Sequence, residues 1–155
     1  MRKLTPLFGL YDRVTAWLSG IIPESLVLLF VRIVLGGVFW RSGQTKVVEG
    51  TYFTLSDSTL ELFRTEYAGV PLPAELAAPM ANAAEHILPA LLLVGLFTRF
   101  SALGLIGMTL VIQFFVYPDA WWPEHSLWIG LALILVVRGG GLASLDILLA
   151  RKRRG

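Results

Sequence analysis

The chain has 155 residues, enough for one domain, with a formal net charge of +2 and no cysteine. Its hydrophobic fraction is 55% and its charged fraction 15%, where a soluble domain carries about 25% charged residues; a core this size cannot hide so much apolar surface in water, so lipid must cover part of it. The missing cysteines exclude disulfides, thiolate metal sites and thiol redox chemistry within the chain.

In chain order, the start does not read as a cleavable signal, because Asp12 and Arg13 interrupt any apolar region and no small-residue cleavage pattern follows. Instead Leu4, Leu7, Tyr11, Val14, Leu18 and Ile21 recur at helical spacing with Asp12 and Arg13 off the stripe, which predicts an amphipathic helix lying on the membrane. The first span is expected at about Ser25–Arg41. A loop of about thirty residues follows, long enough to need a task or a structure of its own. Within it Ser58-Thr59-Leu60-Glu61 reads as a capping box, predicting a short helix to Gly69 with Leu60, Phe63 and Tyr67 on one face and Pro71 and Pro73 beyond. This segment is either a lid on the bundle's mouth or a surface for a partner. Further spans are expected at about Leu76–Phe97, Phe100–Tyr117 and Ser126–Val137, the last completed by Trp121 and Trp122 so that it runs over 121–138; a helix needs about 20 residues to cross the roughly 30 Å hydrocarbon layer. Gly139-Gly140-Gly141 is expected to end the fourth helix, and Asp146 to cap a short tail helix, worth about 1 kcal/mol. The fold class is therefore all-α: residues 1–155 form a single integral membrane four-helix bundle with an interfacial N-terminal helix and a short helix in the first periplasmic loop.

Orientation follows from the basic residues. Arg2, Lys3, Arg13, Arg99, Arg138, Arg151, Lys152, Arg153 and Arg154 fall on one side, nine of the thirteen; Arg41, Lys46 and Arg64 fall on the other, and Arg32 lies in the membrane. Both termini are thus expected in the cytoplasm of a bacterial inner-membrane protein. Trp40, Tyr117, Trp121 and Trp122 make an aromatic belt on the opposite face.

The polar residues within the spans carry the functional argument. Arg32 and Glu85 each lie near the middle of a span, so an ion pair between them is expected. Asn82 is one turn from Glu85 and His86. Pro89 frees the Glu85 carbonyl, and Gly36 lets a neighbouring helix approach. Thr109, Gln113 and Tyr117 form a polar stripe on the third span, and His125 opens the fourth. Arg32, Glu85 and His86 are the catalytic candidates, and Lys46, Asn82 and Gln113 the substrate-binding ones. Each has a plainer reading: Arg32 with Glu85, Asn82 and Gln113 as glue between helices, His86 as a hydrogen-bonded core residue, and Lys46 and Arg41 as side chains reaching lipid phosphates. No haem, iron–sulfur or metal site is expected, since His86 and His125 stand at different depths and the three methionines make no copper conduit. No nucleic-acid partner is expected.

These residues resemble the DoxX family of small membrane proteins over about Arg32 to Asp146: Arg32-Ile33-Val34-Leu35-Gly36, then Phe39, Gly43 and Lys46; Glu85, then Leu92 and Gly95-Leu96-Phe97-Thr98-Arg99; Gly141, then Ser144-Leu145-Asp146. HvfX-type members resemble it further in Phe39-Trp40-Arg41-Ser42-Gly43 with Thr45-Lys46, in Glu66-Tyr67 before Val70-Pro71-Leu72, and in Tyr117-Pro118 before His125. The resemblance implies a link to membrane redox complexes, including thiosulfate:quinone oxidoreductase, and, for the HvfX type, to enzymes that modify copper-binding peptides and so to metal stress. Thiosulfate chemistry does not suit a chain with no cysteine, cofactor motif or soluble catalytic domain.

Two functions are expected to compete. One is a quinone-interacting subunit of a membrane redox or metal-stress system, an oxidoreductase subunit at most, working with a periplasmic or membrane redox partner. The other is a non-catalytic scaffold or maturation partner for a secreted metal-binding peptide or a periplasmic enzyme, recognised by the loop from Lys46 to Pro73. A small-solute transporter is a third reading, and with only four spans it requires a homo-oligomer.

Overall fold

The computed structural model describes residues 5–152, with side chains from residue 9 onward. The helices are α1 Thr5–Leu18, α2 Ile21–Gln44, α3 Asp57–Thr65, α4 Ala74–Val94, α5 Thr98–Phe115, α6 Ser126–Arg138 and α7 Leu145–Lys152. A 3-10 turn at Pro118–Ala120 and a π turn at Trp121–His125 lead into α6. Four segments are long and apolar enough to cross a membrane: Ile21–Gln44, Ala74–Val94, Thr98–Phe115 and Pro118–Arg138. The protein is thus an all-α, multi-pass membrane protein, and the four expected spans correspond to these segments with ends shifted by a few residues.

The spans form a closed ring in which α2 packs on α4, α4 on α5, α5 on α6, and α6 back on α2. Its apolar core is Leu28, Val31, Leu35 and Phe39 of α2, Leu92 of α4, Ala102 and Leu105 of α5, and Ala132 and Leu135 of α6. Small side chains let the helices approach: a Cβ on Gly36 would sit 3.5 Å from the Pro89 carbonyl oxygen, and one on Gly43 only 2.7 Å from the His86 ring. The outward flanks carry exposed Phe30, Ile33, Ile87, Leu103 and Phe114, the surface that lipid must cover.

On the terminal face, α4 ends at Gly95 with φ +69°, and the Asp146 carboxylate accepts hydrogen bonds from the amides of Phe97 (2.7 Å) and Thr98 (2.9 Å). Asp146 therefore caps α5, a long-range cap invisible in local sequence, rather than the tail helix in which it sits. α6 stops at Arg138 with Gly139 at φ +79°, as the glycine run predicts.

On the opposite face, α3 forms two residues earlier than the expected capping box. Ser56 is its cap, with Oγ accepting from the Thr59 amide, while the Thr59 hydroxyl donates to the Lys46 carbonyl at 2.8 Å. Phe63 of α3 packs on Ala77 and Ala78 of α4, and Leu60 and Tyr67 join it, so α3 lies across one end of the bundle. The N-terminal helix forms, and Tyr11, Val14 and Leu18 of its stripe are exposed. Leu4 lies outside the described residues, as do Arg2, Lys3, Arg153, Arg154 and the side chain of Leu7.

Candidate functional site

The expected Arg32–Glu85 ion pair does not form. Arg32 is 1% exposed and Glu85 2%, but each is satisfied elsewhere. Arg32 Nε donates to the Leu92 carbonyl (2.7 Å) and Nη2 to the Leu93 carbonyl (2.6 Å). Its Nη1 donates to the carbonyls of Gly140 and Ala143, both at 2.8 Å. The guanidinium thus sits at the C-terminal end of α4, where unpaired carbonyls and the helix dipole favour a cation, and ties that end to the chain after α6. The physical reason for the mispairing is stagger. Arg32 and Glu85 lie near the middles of their own helices, but Arg32 stands level with Leu92 and Gly36 with Pro89; seven residues of α4 separate Glu85 from Leu92, a rise of ~10 Å.

Glu85 pairs instead with Lys46, just past the end of α2. The Lys46 ammonium stands 2.9 Å from both carboxylate oxygens, with side chains 8% and 3% exposed. It donates to Oε1, to Ser42 Oγ (3.0 Å) and, at the longest reach, to the Ser42 carbonyl (3.4 Å), and the Ser42 hydroxyl donates to the same Oε1 at 2.9 Å. Oε2 lies close to the ammonium but outside hydrogen-bonding geometry and accepts no hydrogen bond among the described residues. Lys46 is therefore a buried partner rather than a side chain reaching lipid phosphates. Ser42 and Lys46 are four residues apart on one helical face, a signal the sequence carried.

Glu85 and Tyr67 line two cavities. One, of 530 Å³, opens among Ser42, Tyr117, Asp119, Glu124 and His125. The other, of 240 Å³, is walled by Ala77, Ala81, Ala84, Met108 and Val111, with Lys46 and Glu85 as its charged groups. Tyr67 stacks on Phe63 with ring centroids 4.3 Å apart. Burial pushes its hydroxyl well above the ordinary tyrosine range, aided by the negative charge of nearby Glu85 and Glu66. Tyr117 donates to the Glu66 carboxylate and is raised chiefly by that hydrogen bond.

The remaining candidates fall in separate places. His86 follows Glu85 in sequence and so points about 100° away around α4. It packs against Trp40, Tyr52 and Phe53. Its Nδ1 lies 2.9 Å from the Asn82 backbone carbonyl, to which it donates, and its Nε2 2.7 Å from Gln44 Nε2. The Asn82 amide donates to the Tyr52 carbonyl at 3.1 Å, leaving its buried Oδ1 without a partner among the described residues. Gln113 donates to the Pro118 carbonyl (2.6 Å) and accepts from His125 Nδ1 (2.7 Å). His125 is turned inward by the π turn, while Trp122 of the same turn is 81% exposed. The structure therefore brings Lys46 and Glu85 together, sets Gln113 behind His125, and leaves Arg32, His86 and Asn82 outside the two cavities. Ser42, Tyr67 and His125, not among the sequence candidates, join the walls.

Fold and site together define a small four-span helical membrane protein with a buried lysine–glutamate pair at the junction of two cavities. The chain belongs to the DoxX family, whose profile matches residues 27–118. It is similar to an uncharacterized protein of Haemophilus influenzae, 28% identical over 137 residues that cover 84% of this chain and 87% of that protein. No solved structure matches the chain.

Proposed function

We propose that the protein is a quinone-docking subunit of a membrane redox system, with Lys46 and Glu85 as the docking pair. The observation that carries this reading is the buried ion pair exposed to a carbon-walled slot of 240 Å³. That volume lies just below the ~300–1,000 Å³ of typical small-molecule pockets, which suits a ring rather than a whole ligand. The fit is chemical as well: an ammonium can donate to a ring carbonyl, and Glu85 Oε2, a buried acceptor without a hydrogen bond, can accept from the hydroxyl of the reduced ring. When bound, a quinone supplies two-electron, two-proton redox chemistry; the chain's own residues bind the ring, exclude water and hold a proton at the Glu85 carboxylate. Electrons come from a redox partner.

The residues that carry the resemblance to HvfX-type members fall at the same location. Phe39, Ser42, Tyr67, Tyr117 and His125 line the larger cavity, Lys46, Val70 and Leu72 the smaller, and Gly43 clears the His86 ring. A metal-stress role beside enzymes that modify copper-binding peptides is the finer reading, with α3 toward the periplasm and both termini in the cytoplasm. The test is quinone binding to purified protein in nanodiscs by equilibrium dialysis. Lys46→Met is expected to weaken quinone binding, and Glu85→Gln binding of the reduced quinol, each at least about tenfold, one lost charge-assisted hydrogen bond, with Arg41→Gln unchanged. Wild-type affinity in both pair variants sinks the assignment.

A further inference from the structure

The two cavities differ in their linings. The larger is lined by Ser42, Asp119, Glu124 and His125 and lies beneath the chain that joins α5 to α6. His125 donates through Nδ1 to Gln113, so its Nε2 is left as an acceptor. The smaller is bounded by Met80, Val111 and Leu72, which are 60%, 40% and 46% exposed on the bundle's apolar flank, and its only charged groups are Lys46 and Glu85. Tyr67, Glu85 and Ile112 belong to both linings and form the partition.

From this geometry we infer that Glu85 is served by two separate entrances: water and protons reach it through the polar cavity on the α3 face, and a lipid-soluble ring reaches it sideways between α4 and α5. The inference rests on the quinone reading for its chemical sense. Two-electron reduction of a quinone consumes two protons, electrons being supplied by the redox partner. A slot walled by carbon cannot deliver protons, whereas a carboxylate reaching both spaces can take them from one and hold them at the other. His125 is a positioning residue on the water side, in that it fixes the polar wall through Gln113 and offers Nε2 to cavity water.

The absence of native cysteine makes the test direct. Single substitutions Val38→Cys and Val116→Cys place a thiol in the polar cavity; Ala81→Cys and Met108→Cys place one in the apolar slot. Full-length protein in nanodiscs is treated with a charged, membrane-impermeant thiosulfonate or with a membrane-soluble maleimide, and only variants with the wild-type gel-filtration profile are scored. The polar-cavity thiols are expected to react with the charged reagent about a hundredfold faster than the slot thiols, the penalty for carrying a charge into hydrocarbon. The slot thiols should react with the soluble maleimide. Equal rates at the two positions, or polar-cavity thiols inert to the charged reagent, overturn the inference. A short-chain quinone added beforehand separates the two proposals: it should protect Ala81→Cys and Met108→Cys but not Val38→Cys. Lack of protection with the access pattern intact sinks the quinone reading and leaves the two entrances standing.

Discussion

Arg32 in the middle of α2 and Lys46 just past its end are both buried, fourteen residues apart. Arg32 ends in four backbone carbonyls drawn from two parts of the chain and lines neither of the two cavities that Glu85 faces. Lys46 ends in one carboxylate, one hydroxyl and a single, more distant carbonyl, and its carboxylate partner faces two open spaces. A cation neutralised by dipoles fixes the fold. A cation neutralised by a single titratable group leaves a site that a ligand or proton can enter. Burial alone does not separate the two cases; what the charge touches does.

The largest expected effect lies at Arg32. Arg32→Ala strips a donor from the carbonyls of Leu92, Leu93, Gly140 and Ala143; Leu92 keeps the Gly95 amide, but a buried carbonyl left unpaired, as at Gly140, costs about 1–3 kcal/mol. Membrane-inserted protein should fail to accumulate, or melt far below wild type in detergent. Arg32→Lys should not rescue it, because one ammonium with three donors cannot span the planar fork that reaches both sides. A lysine variant with wild-type melting would show that the clamp is not what holds this face.

Next comes the lysine–glutamate pair, where the contrast can be made sharp. Glu85→Leu strands the Lys46 ammonium among buried groups, and breaking a buried pair from one side costs roughly 3–5 kcal/mol. The double variant Lys46→Met/Glu85→Leu should recover most of the melting temperature while quinone binding stays lost, because a volume-matched apolar pair is often neutral in a protein interior. A double variant as unstable as the single one would make the pair a structural device like Arg32. One that retains quinone binding would move the site elsewhere.

The same contrast explains what the sequence could and could not say. Hydropathy and length disclosed the four spans, and the glycine run disclosed the end of α6, because those signals are local. Burial of Arg32 and Glu85 also followed from their isolation in apolar runs. Their partners did not, because pairing depends on the stagger of α2 against α4, which is set by close approaches such as the Gly36 backbone to the Pro89 carbonyl and Gly43 to the His86 ring. Asp146 shows the same limit: beside a short tail helix it reads as that helix's cap, and only the fold brings it to the amides of Phe97 and Thr98. His125 is turned into the bundle by a π turn, an irregularity that periodicity of 3.6 does not encode.

The smallest expected effect belongs to the latch on the α3 side. Tyr117 donates to Glu66, which lies between α3 and α4, and that bond raises the phenol above its ordinary value near 10. A raised folded-state value means the folded protein holds the proton more tightly than the unfolded chain. The stabilisation is therefore complete below the ordinary tyrosine value and disappears as pH rises through the folded one. Tyr67 adds to the same window, its phenol also raised, chiefly by burial. Tyr117→Phe should flatten the fall in melting temperature above about pH 10 only slightly, because the Tyr117 hydroxyl is largely open to solvent and Tyr67 still titrates. Limited proteolysis of the loop over residues 46–73 reads the same event locally. Cleavage should rise with alkaline pH in wild type, whereas the opposite end is held by backbone carbonyls that do not titrate. An alkaline transition that frees both ends at once would mean that the α3 half and the Arg32 half melt as one unit, and the difference between their two buried cations would then be one of chemistry alone.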